Sequence, residues 1–193
     1  METKKATTKN AIARALIELA AEKSIDKITI QEIVKRCGLT KTTFYNHFQD
    51  KYDLIVWAYA EPVKTIMRRL GEDGYTIGGA ILDIVRYFDG NRKFILNALK
   101  NTSGQNYFLH HVARIHYAVL RDFVATRGGG ATSPELDVLM KLYAYGTVQM
   151  TCEWLLDGTP IPAETFAACL EAGIPEDVKP YVYGEKVYDS AKS

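Results

Sequence analysis

The sequence predicts an all-α protein in two parts, an N-terminal three-helix domain and a larger helical domain of five or six helices. Three observations predict it. Apolar residues recur at i, i+3, i+4 and i+7 in one stretch after another, and no segment shows the alternation of a half-buried strand. Helix starts and stops are spelled out by Thr8, Thr29, Thr40 and Asp50 on one side and by Gly38 and Gly128-Gly129-Gly130 on the other. Between Thr29 and Lys51, two short capped helices are joined by a tight turn, the spacing of a helix-turn-helix.

In chain order, Thr8 is placed to cap a first helix that keeps Ile12, Leu16, Leu19, Ala20 and Lys23 at helical spacing. Ser24 to Lys27 link it to the second. Thr29 and Glu32 have capping-box spacing, so a helix begins at Ile30, with Ile30, Ile33, Val34 and Cys37 on one buried face. Gly38 falls where a left-handed residue stops that helix. Thr40 caps the third helix, and Leu39 and Phe44 have the spacing of a hydrophobic staple. At about 100° per residue, Phe44 and Phe48 share one face while Thr42, Tyr45 and Asn46 project from the other.

Asp50 caps a fourth helix with Leu54, Trp57 and Ala58 in its first turns, and Pro62 interrupts its pattern with a bend or break. Gly71 to Gly74 and Gly78-Gly79 mark a looser connection into the body. Helical spacing then resumes from Ile77 to Phe88, from Phe94 to Leu99 after Asp89-Gly90-Asn91, and from Phe108 to Phe123. From Pro134 to Leu156 apolar residues occupy nearly every side, with Leu136, Leu139, Tyr143, Gly146, Met150 and Trp154 on one and Val138, Leu142, Tyr145, Val148, Cys152 and Leu155 on another. A helix of that kind needs two partners, the body's own core and a second subunit. Phe166, Ala167 and Leu170 on a last short helix complete a four-helix dimer bundle.

Composition bounds the possibilities. A chain of 193 residues, 47% hydrophobic and 24% charged, has the length and balance of an ordinary globular protein. No apolar run reaches the roughly 18 residues a membrane span needs, and METKKATTKN lacks a signal-peptide core, so a cytoplasmic protein is expected. Cys37, Cys152 and Cys169 are too far apart for a CxxC pair and read as reduced thiols. The net charge of +1 conceals +4 over residues 1 to 51 and −3 over the rest, a basic headpiece on an acidic body.

The polar stripe gives the headpiece its chemistry. A short helix showing Lys41, Thr42, Tyr45 and Asn46 fits a major groove, where Asn pairs with adenine and Lys reaches guanine acceptors. Thr29, Gln31, Tyr45, His47 and Lys51 suit phosphate oxygens, with Thr40 at the helix start. Aromatics in the body with a few polar tips suit a pocket for a small, partly apolar molecule, although such stripes are usually core; Tyr107, His111, Tyr117 and Trp154 are the preferred candidates. His110, His111 and His116 lack the i, i+4 spacing of paired metal ligands, and the chain has no nucleophile elbow, paired-carboxylate signature or dinucleotide turn. Neither a metal, a cofactor nor an enzyme is indicated.

The stretch T-I-x-x-I-x-x-x-x-G-L-T-K-T-T-F-Y-N-H-F-x-x-K-x-x-L, carried by Thr29, Ile33, Gly38, Leu39, Thr40, Thr43, Phe44, Tyr45, His47, Phe48, Lys51 and Leu54, resembles the TetR family of bacterial regulators. The resemblance covers about the first quarter of the chain. It implies a helix-turn-helix DNA-binding domain over residues 1–50 and a ligand-binding and dimerisation domain over 51–193. It also implies a homodimer on a palindromic double-stranded operator, a repressor released by a small-molecule effector. Activation, or action through a protein partner in place of an inducer, stands as the alternative.

Overall fold

The computed structural model describes the backbone of residues 2–101 and 105–184 and the side chains of 7–100 and 109–184. It is all-helical: among the described residues there are ten α-helices, two 3-10 turns and no strand. The helices are α1 (Glu2–Glu22), α2 (Ile30–Arg36), α3 (Lys41–Tyr45), α4 (Lys51–Arg68), α5 (Ile77–Gly90), α6 (Arg92–Asn101), α7 (Gln105–Arg127), α8 (Pro134–Leu156), α9 (Ala163–Ala172) and α10 (Lys179–Tyr183). The body exceeds the predicted five or six helices by one, because α10 forms in a tail whose sequence pattern predicts no element. The chain divides into two compact units, Met1–Pro62 with Gly90–Val112, and Val63–Asp89 with Ala113–Ser193.

In the first unit, α1 starts earlier than predicted. Nothing in the run before Thr8 breaks a helix, so Thr8 lies inside α1 and not at its cap. Ile12, Leu16, Ile25, Ile28, Ile33, Phe44, Leu54, Phe94 and Ile95 form its dry core. One polar side chain stitches distant segments together: Asn97 on α6 accepts from the Ile25 N–H at 2.9 Å and donates to the carbonyls of Ala20 at 2.8 Å and Lys23 at 2.7 Å. Asp50 caps α4 as predicted, accepting from the N–H groups of Tyr52 and Asp53 at 2.7 and 2.8 Å. Pro62 does not end α4, which runs on to Arg68, and it lies where the two units divide.

The second unit is centred on α8, with Met140, Ala144, Val148 and Leu155 buried against a core that includes Val85, Phe88, Val124, Phe166 and Val178. The two predicted apolar sides of α8 are redistributed. Val148, Cys152 and Leu155 are buried with Leu136 and Trp154, while Val138, Leu142 and Met150 are exposed. Gly78 and Gly79 belong to the first turn of α5, not to a loose link. A Cβ on Gly78 would meet only the Glu171 carboxylate, the movable end of a flexible side chain.

Candidate nucleic-acid interface

The local code written between Thr29 and Phe48 is realised bond by bond. The Thr29 hydroxyl accepts from the Glu32 N–H at 3.3 Å, and the Glu32 carboxylate accepts from the Thr29 N–H at 2.9 Å, a reciprocal capping box. The Lys23 ammonium also meets that carboxylate; with the Thr29 donors it holds Glu32 down to about 2. At the other end of α2, Gly38 adopts φ 68°, the Gly38 N–H donates to Lys35 and the Leu39 N–H donates to Val34, a Schellman turn. With no atom within 4 Å of a Cβ at Gly38, the glycine is demanded by its backbone angle alone. Thr40 then caps α3, its hydroxyl accepting from Thr43 N–H at 3.1 Å.

This entry fixes the two faces of α3. Phe44 is 0% and Phe48 2% exposed, with ring centroids 5.7 Å apart, and Phe48 meets Trp57 edge-on at 5.7 Å. Lys9 lies over the rings of Phe48 and Trp57 at 5.2 and 5.5 Å, giving this α1 lysine a fixed place in the headpiece. On the outer side Tyr45 is 57% exposed, and Lys41, Thr42 and Asn46 are exposed with it. The regular helix is only five residues long, but the N–H groups of Asn46 and Phe48 still donate to Thr42 and Phe44, carrying the turn past Asn46. Gln31 is exposed on α2 and His47 is half-buried.

Lys51 occupies an unforeseen position. Its ammonium donates to the carbonyls of Ile25 at 2.8 Å, Asp26 at 3.2 Å and Ile28 at 3.0 Å. An ammonium has three hydrogens, and these three acceptors take them all, so Lys51, expected at a phosphate, is tied within the headpiece. The hydroxyls of Thr29 and Thr40 are likewise engaged in their caps. What the site brings together as outward-facing groups is Gln31, Lys41, Thr42, Tyr45 and Asn46.

The second unit holds a cavity of about 90 Å³, walled by apolar side chains such as Met67, Ile81, Phe88 and Leu120, with His116, Tyr143, Thr147 and Thr151 as its polar lining. The lining hydroxyls are turned onto backbone: Tyr143 donates to Leu170 at 2.9 Å, Thr147 to Tyr143 at 2.9 Å and Thr151 to Thr147 at 2.7 Å. Burial holds His116 down to about 4, so its imidazole is neutral at physiological pH. The cavity is therefore nearly without charge.

The predicted pocket residues are elsewhere. His111 is half-buried in the first unit. Tyr117 donates to the Asp137 carboxylate and lies under the Lys141 ammonium at 5.2 Å. Trp154 stacks on Phe166 at 4.8 Å and donates to the Ile161 carbonyl at 2.9 Å, a core role. None of these three lines the cavity. The Tyr107 side chain lies outside the described residues. The sequence carries a sign of this lining in Tyr143, Thr147 and Thr151, polar residues at i, i+4 and i+8 on one face of α8. Among the described residues no cluster of three or more His, Cys, Asp or Glu could hold a metal, and no helix is long and apolar enough to cross a membrane.

Comparison with known proteins agrees with this geometry. The HTH-type dhaKLM operon transcriptional activator DhaS of Lactococcus lactis is 26% identical over 87 residues, 45% of this chain and 46% of that protein, so the match spans about half of the curated relative's length. Among solved structures, the dihydroxyacetone kinase operon activator DhaS superposes with a TM-score of 0.67 at 19% identity, covering 89% of this chain and 96% of that one. A TetR transcriptional regulator from Streptococcus agalactiae gives 0.54 at 22% identity over 90% and 96% of the two chains. Residues 12–56 match the family described as bacterial regulatory proteins, tetR family, and residues 76–174, just over half the chain, match the transcriptional regulator C-terminal region. The chain belongs to the TetR family of bacterial transcriptional regulators, which are not enzymes.

Proposed function

We propose that this regulator binds a palindromic operator in double-stranded DNA as a homodimer, and that a small molecule in the α8-lined cavity controls its release. The observation that carries the DNA reading is the two-faced α3: Phe44 and Phe48 are buried while Lys41, Thr42, Tyr45 and Asn46 are exposed together. Lys41, Thr42 and Asn46 read base edges, and Gln31, Tyr45 and His47 position the headpiece on phosphates. Thr29, Thr40 and Lys51 act one step back, by holding α2, α3 and the preceding turn in place.

Dimerisation is supported by the exposed face of α8, where Leu142 is 67% exposed beside Val138 and about four turns from Leu156. Such a stripe is covered most economically by the same stripe on a twin, the isologous contact of a two-fold dimer. A two-fold pair places its recognition helices about one DNA turn apart, roughly 34–36 Å, so an effector that prefers another separation lowers operator affinity.

The repressor reading follows from release on effector binding. Activation is the second reading, favoured by the name of the Lactococcus relative, an operon activator. The proposal is tested by gel shift of the purified full chain on a pool of random duplexes at low salt, beside the Lys41→Ala, Thr42→Ala, Asn46→Ala triple variant. The wild type retards DNA and the folded triple variant does not. Equal retardation by both places the interface elsewhere.

A further inference from the structure

The cations of the headpiece differ in what already holds them. Arg36 is bidentate on Glu22 at 2.9 and 3.0 Å, Lys23 meets Glu32, Arg14 lies 3.8 Å from Glu18, and the Lys51 ammonium is spent on backbone carbonyls. Among the described residues from α1 to α3, the exposed lysines without an acidic partner are Lys27, Lys35 and Lys41. Lys41 opens α3, and Lys35 stands in the last turn of α2, where a cation suits the helix dipole. Lys27 stands two residues before the Thr29 cap of α2, the end at which a cation opposes that dipole. Its charge brings α2 no local gain.

The turn that carries Lys27 is held on several sides. Ile25 and Ile28 are buried, 0% and 2% exposed. The Lys27 N–H donates to the Ser24 carbonyl at 3.0 Å and the Ile28 N–H to the Ile25 carbonyl at 3.2 Å. Asn97 takes the Ile25 N–H, and the Lys51 ammonium gathers the carbonyls of Ile25, Asp26 and Ile28. Between the two buried isoleucines, Asp26 and Lys27 are what the turn exposes. Burial lowers the Lys51 pKa and the Asp26 charge raises it, so Asp26 answers Lys51 and the charge left over is that of Lys27.

We infer that Lys27 makes a phosphate contact of the headpiece, the role that the sequence pattern gives to Lys51. This rests on the reading of the headpiece as DNA-binding. The braced turn leaves no backbone to order when the contact forms, and the ammonium has its three hydrogens uncommitted for phosphate oxygens. Exposed Gln31 follows four residues on, in the first turn of α2. A contact of this kind fixes the register of the headpiece on the duplex and reads no base.

The test is fluorescence anisotropy of the full chain on a labelled random duplex pool over a salt series, for the wild type, Lys27→Gln, Lys27→Arg and Lys35→Gln. In Lys27→Gln the slope of log affinity against log salt falls by about one for each protomer. Lys27→Arg and Lys35→Gln keep the wild-type slope, and all of them melt with the wild type. A wild-type slope in Lys27→Gln, or an equal loss in Lys35→Gln, overturns the Lys27 contact and leaves the DNA reading standing. A wild type that binds no duplex overturns the DNA reading and the contact with it.

Discussion

The Lys51 ammonium donates to the carbonyl of Ile25 at 2.8 Å, closing the turn between α1 and α2 from the first residue of α4. The carbonyls of Asp26 and Ile28 complete the set. A residue whose position in the motif suggests a phosphate contact thus holds the scaffold on which the recognition helix rests.

Lys51 and Lys41 are expected to separate cleanly in experiment. Lys51→Met lowers stability by about 2 kcal/mol, the scale of hydrogen bonds from a charged donor, and leaves the salt slope of DNA binding unchanged. Lys41→Ala leaves the melting point alone and reduces that slope by about one if its charge meets phosphate, or relaxes base preference if it meets a base. Thermal melts and fluorescence anisotropy over a salt series check both.

Asn97→Ala is expected to destabilise the first unit by about 2–3 kcal/mol, because it orphans the Ile25 N–H and the carbonyls of Ala20 and Lys23 at once. Chemical denaturation measures it; a loss below about 0.5 kcal/mol would show that water replaces the side chain.

His116 makes stability depend on pH. The unfolded imidazole protonates near 6.5 and the folded one near 4, so between those values the unfolded state binds more protons. Stability is full above about 6.5 and falls as pH drops towards 4, by on the order of 2–3 kcal/mol. His116→Leu removes that part of the slope, read from denaturant midpoints at pH 7, 5.5 and 4.5.

Leu142→Lys places a charge in the middle of the exposed α8 face. Sedimentation of the wild type is expected at twice the chain mass and of the variant at the chain mass, with unchanged helicity by circular dichroism. A wild-type monomer would remove the dimer from the account.

Most of the headpiece was legible because its determinants are local. A capping box, a left-handed glycine and an aromatic pair each act within about four residues, where sequence spacing and spatial neighbourhood coincide. Asn97 and Lys51 were not legible, since their partners lie 72 to 77 and 23 to 26 residues away and are backbone atoms with no residue identity to notice. In the body the partners of two aromatic candidates were hidden for a related reason. Tyr117 and Trp154 have polar tips that suit a ligand equally well, yet Asp137 and the Ile161 carbonyl take them. The buried face of α8 was left open because a helix apolar on most sides carries no pattern to say which side is covered.

Selection of bound sequences by the full-length protein from a random duplex pool tests the central claim most directly. A palindrome whose half-sites are centred about 10 base pairs apart is expected, and the Thr42→Ala, Asn46→Ala variant is expected to lose the preference at the contacted bases. Recovery of no common sequence, or of a site selected equally well by that variant, would contradict it.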